Sequence, residues 1–425
     1  MKAGLSRPFD QLRAAREDKQ MTKRLYYNNT FLHEFDSTVT DVIAGDRPAV
    51  KLDETAFYPT SGGQVFDKGV LHGESGEARV EQVEETESGE VLHYINPEDL
   101  TNIRPGMKVR GLIDTLRRLD HMQQHSGQHV LSAAFERLHK WPTVSFHMGT
   151  ETSTIDLATE GIRDEQLKNA EELANRIVFE NRPVGIRYVG LEEAKQLGLR
   201  KLPDVGKDEL RLIDIADFDL CACGGTHVQS TAQIGMLLVR KSEKVKQGFR
   251  VEFVCGGRAL KTARRDFETL TQAGALYSSG LYEVPNNIKK SLDEIKAAQK
   301  QQHRLLEELA VFWAERLVGS GESKARFKLV KQVIADRDLM FVKLLAQKIA
   351  KHPGMVALLG TTAGQSALVF ARSGDVDADM SALIKEAMAA SGGRGGGSKD
   401  LAQGGVPDPR RVPELLEGAA AKVGS

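Results

Sequence analysis

The stretch His125-Ser126-Gly127-Gln128-His129 decides how the middle of this chain folds and what it binds. Residues four apart share one face of an α-helix, so the two imidazoles point at one spot. A second motif, Cys223-Gly224-Gly225-Thr226-His227, adds a thiolate and a third imidazole at the same spacing. A helical histidine pair alone is more often structural, but the second motif places two glycines and a cysteine in a sharp turn. One cysteine and three histidines suit tetrahedral Zn²⁺, so the two pairs predict one shared metal site.

The composition of the chain is that of a globular protein with several domains. Its 425 residues are 40% hydrophobic and 28% charged, which predicts two or three domains with an ample core. The formal net charge of -1 excludes a global basic field, so an RNA-binding surface has to be a local patch. Three cysteines do not make a disulfide framework, which favours a reducing cytoplasm and metal or thiolate use. The sequence lacks a run of about 18 apolar residues, so we expect no membrane span.

The first 22 residues are charged and lack the apolar segment of a secretory signal. We therefore predict an N-terminal extension over residues 1–22. Met21 directly precedes the first strand-like run. Whether translation starts at Met1 or at Met21 stays open.

Residues 23–115 predict a small β-rich, barrel-like domain, because short alternating runs are separated by glycine turns. This domain contains Phe57-Tyr58-Pro59-Thr60-Ser61-Gly62-Gly63-Gln64. Pro59 fixes its own φ angle, and the pair Gly62 and Gly63 lets another chain or a ligand approach the backbone closely. The alternative is an ordinary hairpin turn with Gln64 on the surface.

Residues 116–258 predict an α+β domain that holds both metal motifs. The apolar positions from Arg117 to Leu138 indicate a helix that Pro142 stops. Two later runs, Ile234 to Arg240 and Phe249 to Val254, favour a pair of strands. This ribbon is either a phosphate-contacting patch or an ordinary solvated hairpin. Its cations are Arg240, Lys241, Lys244, Lys246 and Arg250.

Residues 259–324 predict a linker and a long amphipathic helix. Apolar side chains from Ile288 to Phe312 recur at intervals of three, four and seven residues. This spacing is typical of a dimer-forming helix, here over 285–318, and also of a single helix packed on a core. Residues 325–425 predict a C-terminal α/β domain with a glycine-rich stretch. That stretch is either a backbone that lies flat on phosphate or sugar, or a flexible linker. Its central residues are Gly393, Arg394, Gly395 and Gly396.

The histidine pair of the first motif is not the zinc-protease motif, because Ser126 stands where that motif has its glutamate. A bound Zn²⁺ could polarise an ester carbonyl, lower the pKa of a bound water or orient a substrate hydroxyl. Four protein ligands close the site unless one leaves, so structural and catalytic roles both stay open. Cys221 is an alternative ligand.

Together these motifs resemble the editing domain of alanyl-tRNA synthetases and their free-standing relatives, the alanyl-tRNA editing proteins. The resemblance covers roughly residues 24–257 and includes Ser145-Phe146-His147-Met148-Gly149 as well as the motifs already quoted. Residues 392–405 resemble the glycine-rich C-terminal domain of the same synthetases. The long form of the free-standing family therefore matches nearly the whole chain.

The resemblance implies hydrolysis of the ester in mischarged tRNA(Ala), with Ser-tRNA(Ala) the main substrate and Gly-tRNA(Ala) a further candidate. It implies Zn²⁺ on His125, His129, Cys223 and His227. Gln64 resembles the family glutamine beside the aminoacyl group, and Thr60 lies where a hydroxyl could recognise serine, so the resemblance implies that both are catalytic residues. His147 either contacts the substrate or is a satisfied strand histidine.

The resemblance also implies that the C-terminal domain contacts the tRNA and that the long helix pairs two protomers. Nothing upstream resembles a class II aminoacylation core, so we expect editing without charging. Two other functions remain open. One is a non-catalytic, zinc-stabilised tRNA-binding module. The other is a zinc hydrolase of small esters, which the basic ribbon and the glycine-rich tail disfavour.

Overall fold

The structure is a computed structural model that describes residues 21–200 and 209–423. The chain divides into two compact units, Met1–Thr271 and Gln272–Ser425. The predicted extension over residues 1–22 lies almost wholly outside the described residues. Whether translation starts at Met1 or at Met21 is therefore not tested by the structure. The finer predicted boundaries at 115, 258 and 324 stay predictions.

The first unit begins with a closed barrel of six strands in the order β2-β3-β7-β6-β5-β8. Along these strands buried residues alternate with exposed ones, since successive side chains point to opposite faces. This barrel confirms the predicted α+β class and its barrel-like part. The strands are β1 (Lys23–Arg24), β2 (Glu34–Ile43), β3 (Ala49–Leu52), β4 (Glu54–Thr55), β5 (Gly69–Gly73), β6 (Gly76–Glu85), β7 (Val91–Ile95) and β8 (Lys108–Ile113).

The helix α1 (Thr115–His139) follows the barrel and carries the first metal motif. Asp114 caps its N-terminus by accepting hydrogen bonds from the backbone N–H groups of Leu116 and Arg117. Lys140 ends it in the left-handed conformation, with φ at 59°. Most residues from 121 to 135 are buried, so the helix is the centre of this unit.

Two further sheets pack around α1. A four-stranded sheet has the order β14-β15-β10-β9, and a three-stranded sheet has the order β11-β12-β13. One apolar core joins α1 to α2 and to the four-stranded sheet. The remaining elements of this unit are β9 (Thr143–Met148), β10 (Ser153–Leu157), α2 (Asp164–Phe179), β11 (Val184–Gly190), α3 (Leu191–Gln196), β12 (Glu209–Ile215), β13 (Asp219–Ala222), β14 (Leu237–Val245) and β15 (Gly248–Cys255). The helix α4 (Gly256–Leu276) begins in this unit and ends in the second one.

A buried ion pair joins the barrel to α1. Arg118 and Asp67 are both fully buried, and Arg118 Nε donates to Asp67 Oδ2 at 3.1 Å. The same guanidinium donates to the carbonyls of Thr30 and Ala56. Asp67 in turn accepts from the Tyr58 backbone N–H at 2.7 Å. Every charged group of the pair is therefore compensated, as a buried ion pair requires.

The second unit is built on a six-stranded sheet in the order β16-β17-β18-β19-β21-β20. Strands β17 and β18 are parallel and the other neighbours are antiparallel. Helices cover both of its apolar clusters. The elements are α5 (Val284–Ser320), β16 (Glu322–Ser323), β17 (Lys328–Ile334), α6 (Leu339–Ile349), β18 (Met355–Thr361), β19 (Ala367–Arg372), α7 (Met380–Ser391), β20 (Arg394–Gly397), β21 (Leu401–Gly405) and α8 (Val412–Lys422).

The glycine-rich stretch is not a flexible linker, because it forms the antiparallel pair β20 and β21 at one edge of the sheet. Helix α7 packs closely against this pair. A Cβ at Gly395 would lie 2.6 Å from the Gly404 Cα and 2.8 Å from a side-chain carbon of Ile384. The glycines are therefore needed for the close approach of two strands and a helix.

None of the helices of residues 21–200 and 209–423 is both long and apolar enough to cross a membrane.

Candidate metal centre

The structure brings the four predicted ligands into one cluster. One ligand atom from each of His125, His129, Cys223 and His227 lies within 4.8 Å of the others. Cys223 Sγ is 3.4 Å from His125 Nε2 and 3.3 Å from His227 Nε2. The three histidines are buried, and Cys223 is partly accessible. Cys221 is not a member of the cluster, although it lines the adjoining cleft.

A different side chain binds the Nδ1 atom of each histidine. His125 Nδ1 lies 2.8 Å from Gln64 Oε1, His129 Nδ1 lies 3.1 Å from Asp219 Oδ2, and His227 Nδ1 lies 3.1 Å from Ser126 Oγ. Each partner fixes the orientation of its imidazole ring. The Nε2 atoms remain for a metal, which is the usual arrangement around metal-binding histidines.

The turn that contains Cys223 has no space for a side chain at Gly225. A Cβ at Gly225 would lie 2.1 Å from His125 Cε1, so a larger residue would displace a ligand. Arg211 holds the Cys223 carbonyl, and Thr30 Oγ1 donates to the His227 carbonyl at 2.8 Å. The turn is therefore held at both of its ligands.

The electrostatics of the cluster favour an ionised Cys223 and a neutral His227. Burial alone raises the pKa of Cys223, but the imidazoles of His125 and His227 hold that pKa well below its usual value. Burial and the neighbouring His125 lower the pKa of His227 to about 3. A thiolate with neutral imidazoles is the form that binds metal ions.

His129 differs from the other histidines. Burial lowers its pKa, but hydrogen bonds with Asp219 and Cys223 raise the pKa above its ordinary value. A proton at this ring competes with a metal, so metal binding should release it. The donor set of one thiolate and three imidazoles, gathered around one point, fits a tetrahedral ion.

An open cleft of about 430 Å³ adjoins the cluster. The ring of Phe146 stacks on His125, with ring centroids 5.4 Å apart. Gly63 has φ at 86°, and a Cβ there would meet the Phe146 carbonyl at 2.6 Å. The cleft is lined by Gly62, His125, Gln128, His129, Thr143, Val144, Ser145, Phe146, Arg200, Cys221, Ala222, Cys223 and Gly224.

The structure places the other predicted site residues in different surroundings. Gln64 is fully buried behind His125, where its amide also bonds Thr226 Oγ1 at 2.8 Å. Thr60 is exposed, two residues before Gly62. His147 is exposed on β9, where alternation directs it away from the face of Phe146. The cleft lining includes Gly62, but not Thr60, Gln64 or His147.

The basic ribbon is mostly occupied by ion pairs. Arg250 donates twice to Asp156, Arg240 pairs with Asp266, and Lys241 lies 3.4 Å from Glu243. The ribbon therefore offers less positive charge than its sequence suggested. Lys244 and Lys246 have no ion pair with the described residues.

Sequence reasoning missed Asp219 and Arg200. Asp219 lies four residues before Cys223, and its pKa is held at about 2, because His129 and Arg200 outweigh the effect of burial. Arg200 Nε donates to Asp219 Oδ1 at 2.7 Å. No local motif could have revealed these residues, since their partners are distant in sequence.

Three family models match the chain. The model described as tRNA synthetases class II (A) matches residues 6–117, whose described part forms the barrel and the start of α1. The model of the threonyl and alanyl tRNA synthetase second additional domain matches residues 210–251, which include Cys223 and His227. The DHHA1 domain model matches residues 330–425.

Individual relatives match most of the chain. The alanyl-tRNA editing protein AlaX-L of Pyrococcus horikoshii is 31% identical over 95% of this chain and 99% of its own length. The alanine--tRNA ligase of Pyrococcus abyssi is 32% identical over 94% of this chain. The chain spans only 44% of that ligase. The crystal structure of the C-Ala domain from Aquifex aeolicus alanyl-tRNA synthetase is 23% identical, covers 25% of this chain and 98% of that domain, and has a TM-score of 0.24.

Proposed function

Because the chain belongs to the family of the alanyl-tRNA editing protein AlaX-L, we propose that it is a trans-editing hydrolase for mischarged tRNA(Ala). The main substrate is Ser-tRNA(Ala), and Gly-tRNA(Ala) is the second candidate. The reaction is hydrolysis of the ester between the amino acid and the terminal ribose, without aminoacylation. The observation that carries the proposal is the cluster of one cysteine and three histidines beside an open cleft.

His125, His129, Cys223 and His227 would hold a Zn²⁺ ion. When bound, the ion supplies Lewis-acid chemistry at an ester carbonyl or a water and can orient a ribose hydroxyl. Gln64, Ser126 and Asp219 hold the three imidazoles in place. Gln64 thus acts through His125, as a positioning residue rather than a group that touches the substrate.

The walls of the cleft position the ester and restrict water. The Phe146 ring covers one side of His125, and Gly62, which also lines the cleft, has open space where a Cβ would lie. Thr60 is exposed, two residues before Gly62. We assign its hydroxyl to the serine side chain of the substrate. Alanine lacks that hydroxyl and cannot make this hydrogen bond, so we expect serine to be bound in preference to alanine.

The tRNA body contacts exposed cations that form no ion pair with a described residue, among them Lys244, Lys246 and Arg394. The C-terminal unit, with Gly393, Gly395 and Gly396 in its edge strand, adds to this contact. The protein acts in the cytoplasm on tRNA charged by another protein. Helix α5 pairs two copies of the chain through its exposed apolar side chains.

Deacylation of Ser-tRNA(Ala) and Ala-tRNA(Ala), measured side by side with bound zinc, tests this function. Intact protein should release serine only. Cys223→Ala should lose both zinc and activity, because it removes a ligand. Cys221→Ala is the matched control: it changes a thiol of the same cleft that lies outside the ligand cluster, and it should retain both. Binding of tRNA without turnover would instead identify a non-catalytic binding module.

A further inference from the structure

Arg200 is the one charged side chain, apart from the metal ligands, among the described residues that line the cleft. Its side chain is 12% exposed, and its guanidinium lies beside the metal centre. Arg200 Nη2 is 3.5 Å from His129 Nδ1. A substrate in the cleft therefore meets guanidinium N–H donors directly next to the ligand cluster.

The guanidinium is held in a fixed orientation before any substrate arrives. The Arg200 backbone N–H donates to the Leu220 carbonyl at 3.1 Å, which fixes the residue beside β13. Nε and Nη2 both donate to Asp219, at 2.7 and 3.1 Å. The planar fork has five N–H donors, and the two on Nη1 carry no hydrogen bond to a described residue. A rigid cation with unused donors in a cleft is suited to an anion.

Other arginines near this point are arranged differently. Arg187 and Arg137 line a neighbouring cavity of about 430 Å³, but neither lines the metal cleft. Arg187 pairs with Asp214, and Arg137 donates to the carbonyls of Asp217 and Phe218. Arg200 alone among these three borders both cavities.

We propose that Arg200 binds the phosphodiester group that adjoins the aminoacylated ribose of the substrate. The proposal rests on the proposed function and names a subsite within it. The amino acid ester and this phosphate lie on the same terminal nucleotide, so an ester at the metal centre brings its own phosphate close to the centre. Arg200 anchors that phosphate with Nη1 while Asp219 holds the rest of the guanidinium. This contact with a non-reacting part of the substrate would orient the ester at the metal centre.

The test uses the full chain with bound zinc and an uncharged RNA minihelix that copies the acceptor stem and its single-stranded 3′ end. A second minihelix carries a neutral methylphosphonate at the linkage next to the last ribose. Intact protein should bind the neutral form about tenfold more weakly, the size expected for a lost charged hydrogen bond. Arg200→Gln should bind both forms with the same weakened affinity. Its slope of log K against log salt should fall by about 0.7.

Arg187→Gln is the matched control, because it removes an arginine from the neighbouring cavity only. It should distinguish the two minihelices as intact protein does. Equal binding of the two minihelices by intact protein would overturn the proposal, and this arm does not depend on the stability of any variant. Equal losses in Arg200→Gln and Arg187→Gln would also overturn it. Because the RNA carries no amino acid, these outcomes are separate from deacylation, whereas failure to bind the unmodified minihelix would overturn the proposed function itself.

Discussion

At the scale of single residues, the role of Gln64 is open to a direct test. Its amide bonds His125 and Thr226, and it is fully buried. Gln64→Ala should weaken zinc binding about 10- to 100-fold, because an outer partner of a metal ligand is lost. Deacylation should fall at least tenfold at limiting zinc and recover at saturating zinc. Zinc affinity from chelator competition and turnover at both zinc levels are the measurements.

Gln124→Ala is the control for this variant. Gln124 is as buried as Gln64 and lies on α1 beside His125, but it bonds the backbone of Cys255 and the carboxylate of Asp120 instead of a ligand. It should lower stability and leave zinc affinity within about twofold. Activity that stays low in Gln64→Ala at saturating zinc would instead place Gln64 against the substrate.

The residues that could be predicted are those whose partners are close in sequence. The ligands His125 and His129 follow from helical spacing, and Cys223 and His227 from a glycine turn. The partner of His129 could not be predicted, because Asp219 reaches it from β13, 90 residues away. The position of Gln64 behind the ligand, rather than in the cleft, likewise depends on how the barrel loop meets α1.

At the scale of elements, the glycine pair of β20 provides a comparison between neighbours. Gly395→Ala should destabilise the C-terminal unit by about 1–3 kcal/mol, since its Cβ would meet the Gln403 carbonyl at 2.7 Å. Gly396→Ala should have little effect, because nothing lies within 4 Å of its Cβ position. Urea unfolding of the full chain in a Trp141→Phe background, where Trp313 is the remaining tryptophan, measures both. Similar losses in the two variants would contradict the packing argument.

His93 makes the stability of the barrel depend on pH. It is fully buried between Thr55 Oγ1 and the Val50 carbonyl, and burial lowers its pKa from 6.5 to about 4. His93 therefore becomes protonated below about pH 6.5 in the unfolded chain, but only below about pH 4 in the folded barrel. The contribution of neutral His93 to the free energy of unfolding is fully present above pH 6.5. The free energy of unfolding falls by about 2 kcal/mol between pH 7 and pH 5 because of this residue.

The measurement is urea unfolding at pH 7 and pH 5. His93→Gln should be less stable at pH 7 and should lose that part of the pH dependence. His72→Gln, which changes an accessible histidine on β5, should keep the dependence of the intact protein. A pH dependence that is the same with and without His93 would rule out this source.

Periodic elements could be predicted, and aperiodic ones could not. The helix predicted over 117–138 is α1 (Thr115–His139), because its apolar positions recur at helical spacing. Strands β20 and β21 were not predicted, since glycines carry no alternating signal. The two strands need glycine because the side chains of Ile384 and Met388 on α7 pack directly on their backbone, where a Cβ atom would clash.

At the scale of the whole molecule, α5 favours assembly into pairs. Its 37 residues are almost all exposed before Leu306, and the apolar Ile288, Leu292 and Ile295 lie there at four- and three-residue steps. Most of the stability of a helix in a protein comes from packing of its apolar face, and a second copy would cover the face that is exposed here. We expect the full chain to be a dimer in sedimentation equilibrium.

The double substitution Leu292→Lys with Ile295→Lys should shift the chain to monomer, because it places charge in the shared seam. Ala297→Lys with Gln301→Lys adds the same charge to the other side of the helix and should leave the dimer intact. A monomeric intact protein at micromolar concentration would remove the basis of this assignment.

The ion pair of Arg118 and Asp67 has a consequence for how genes of this kind recombine. A crossover between residues 67 and 118 that brought in a foreign barrel without its acidic partner would leave one charge unpaired in the interior, which costs about 3–5 kcal/mol. That loss is a large part of the stability of an ordinary domain. We therefore expect a transplanted barrel to fold with this metal domain only if it supplies an acidic partner for Arg118.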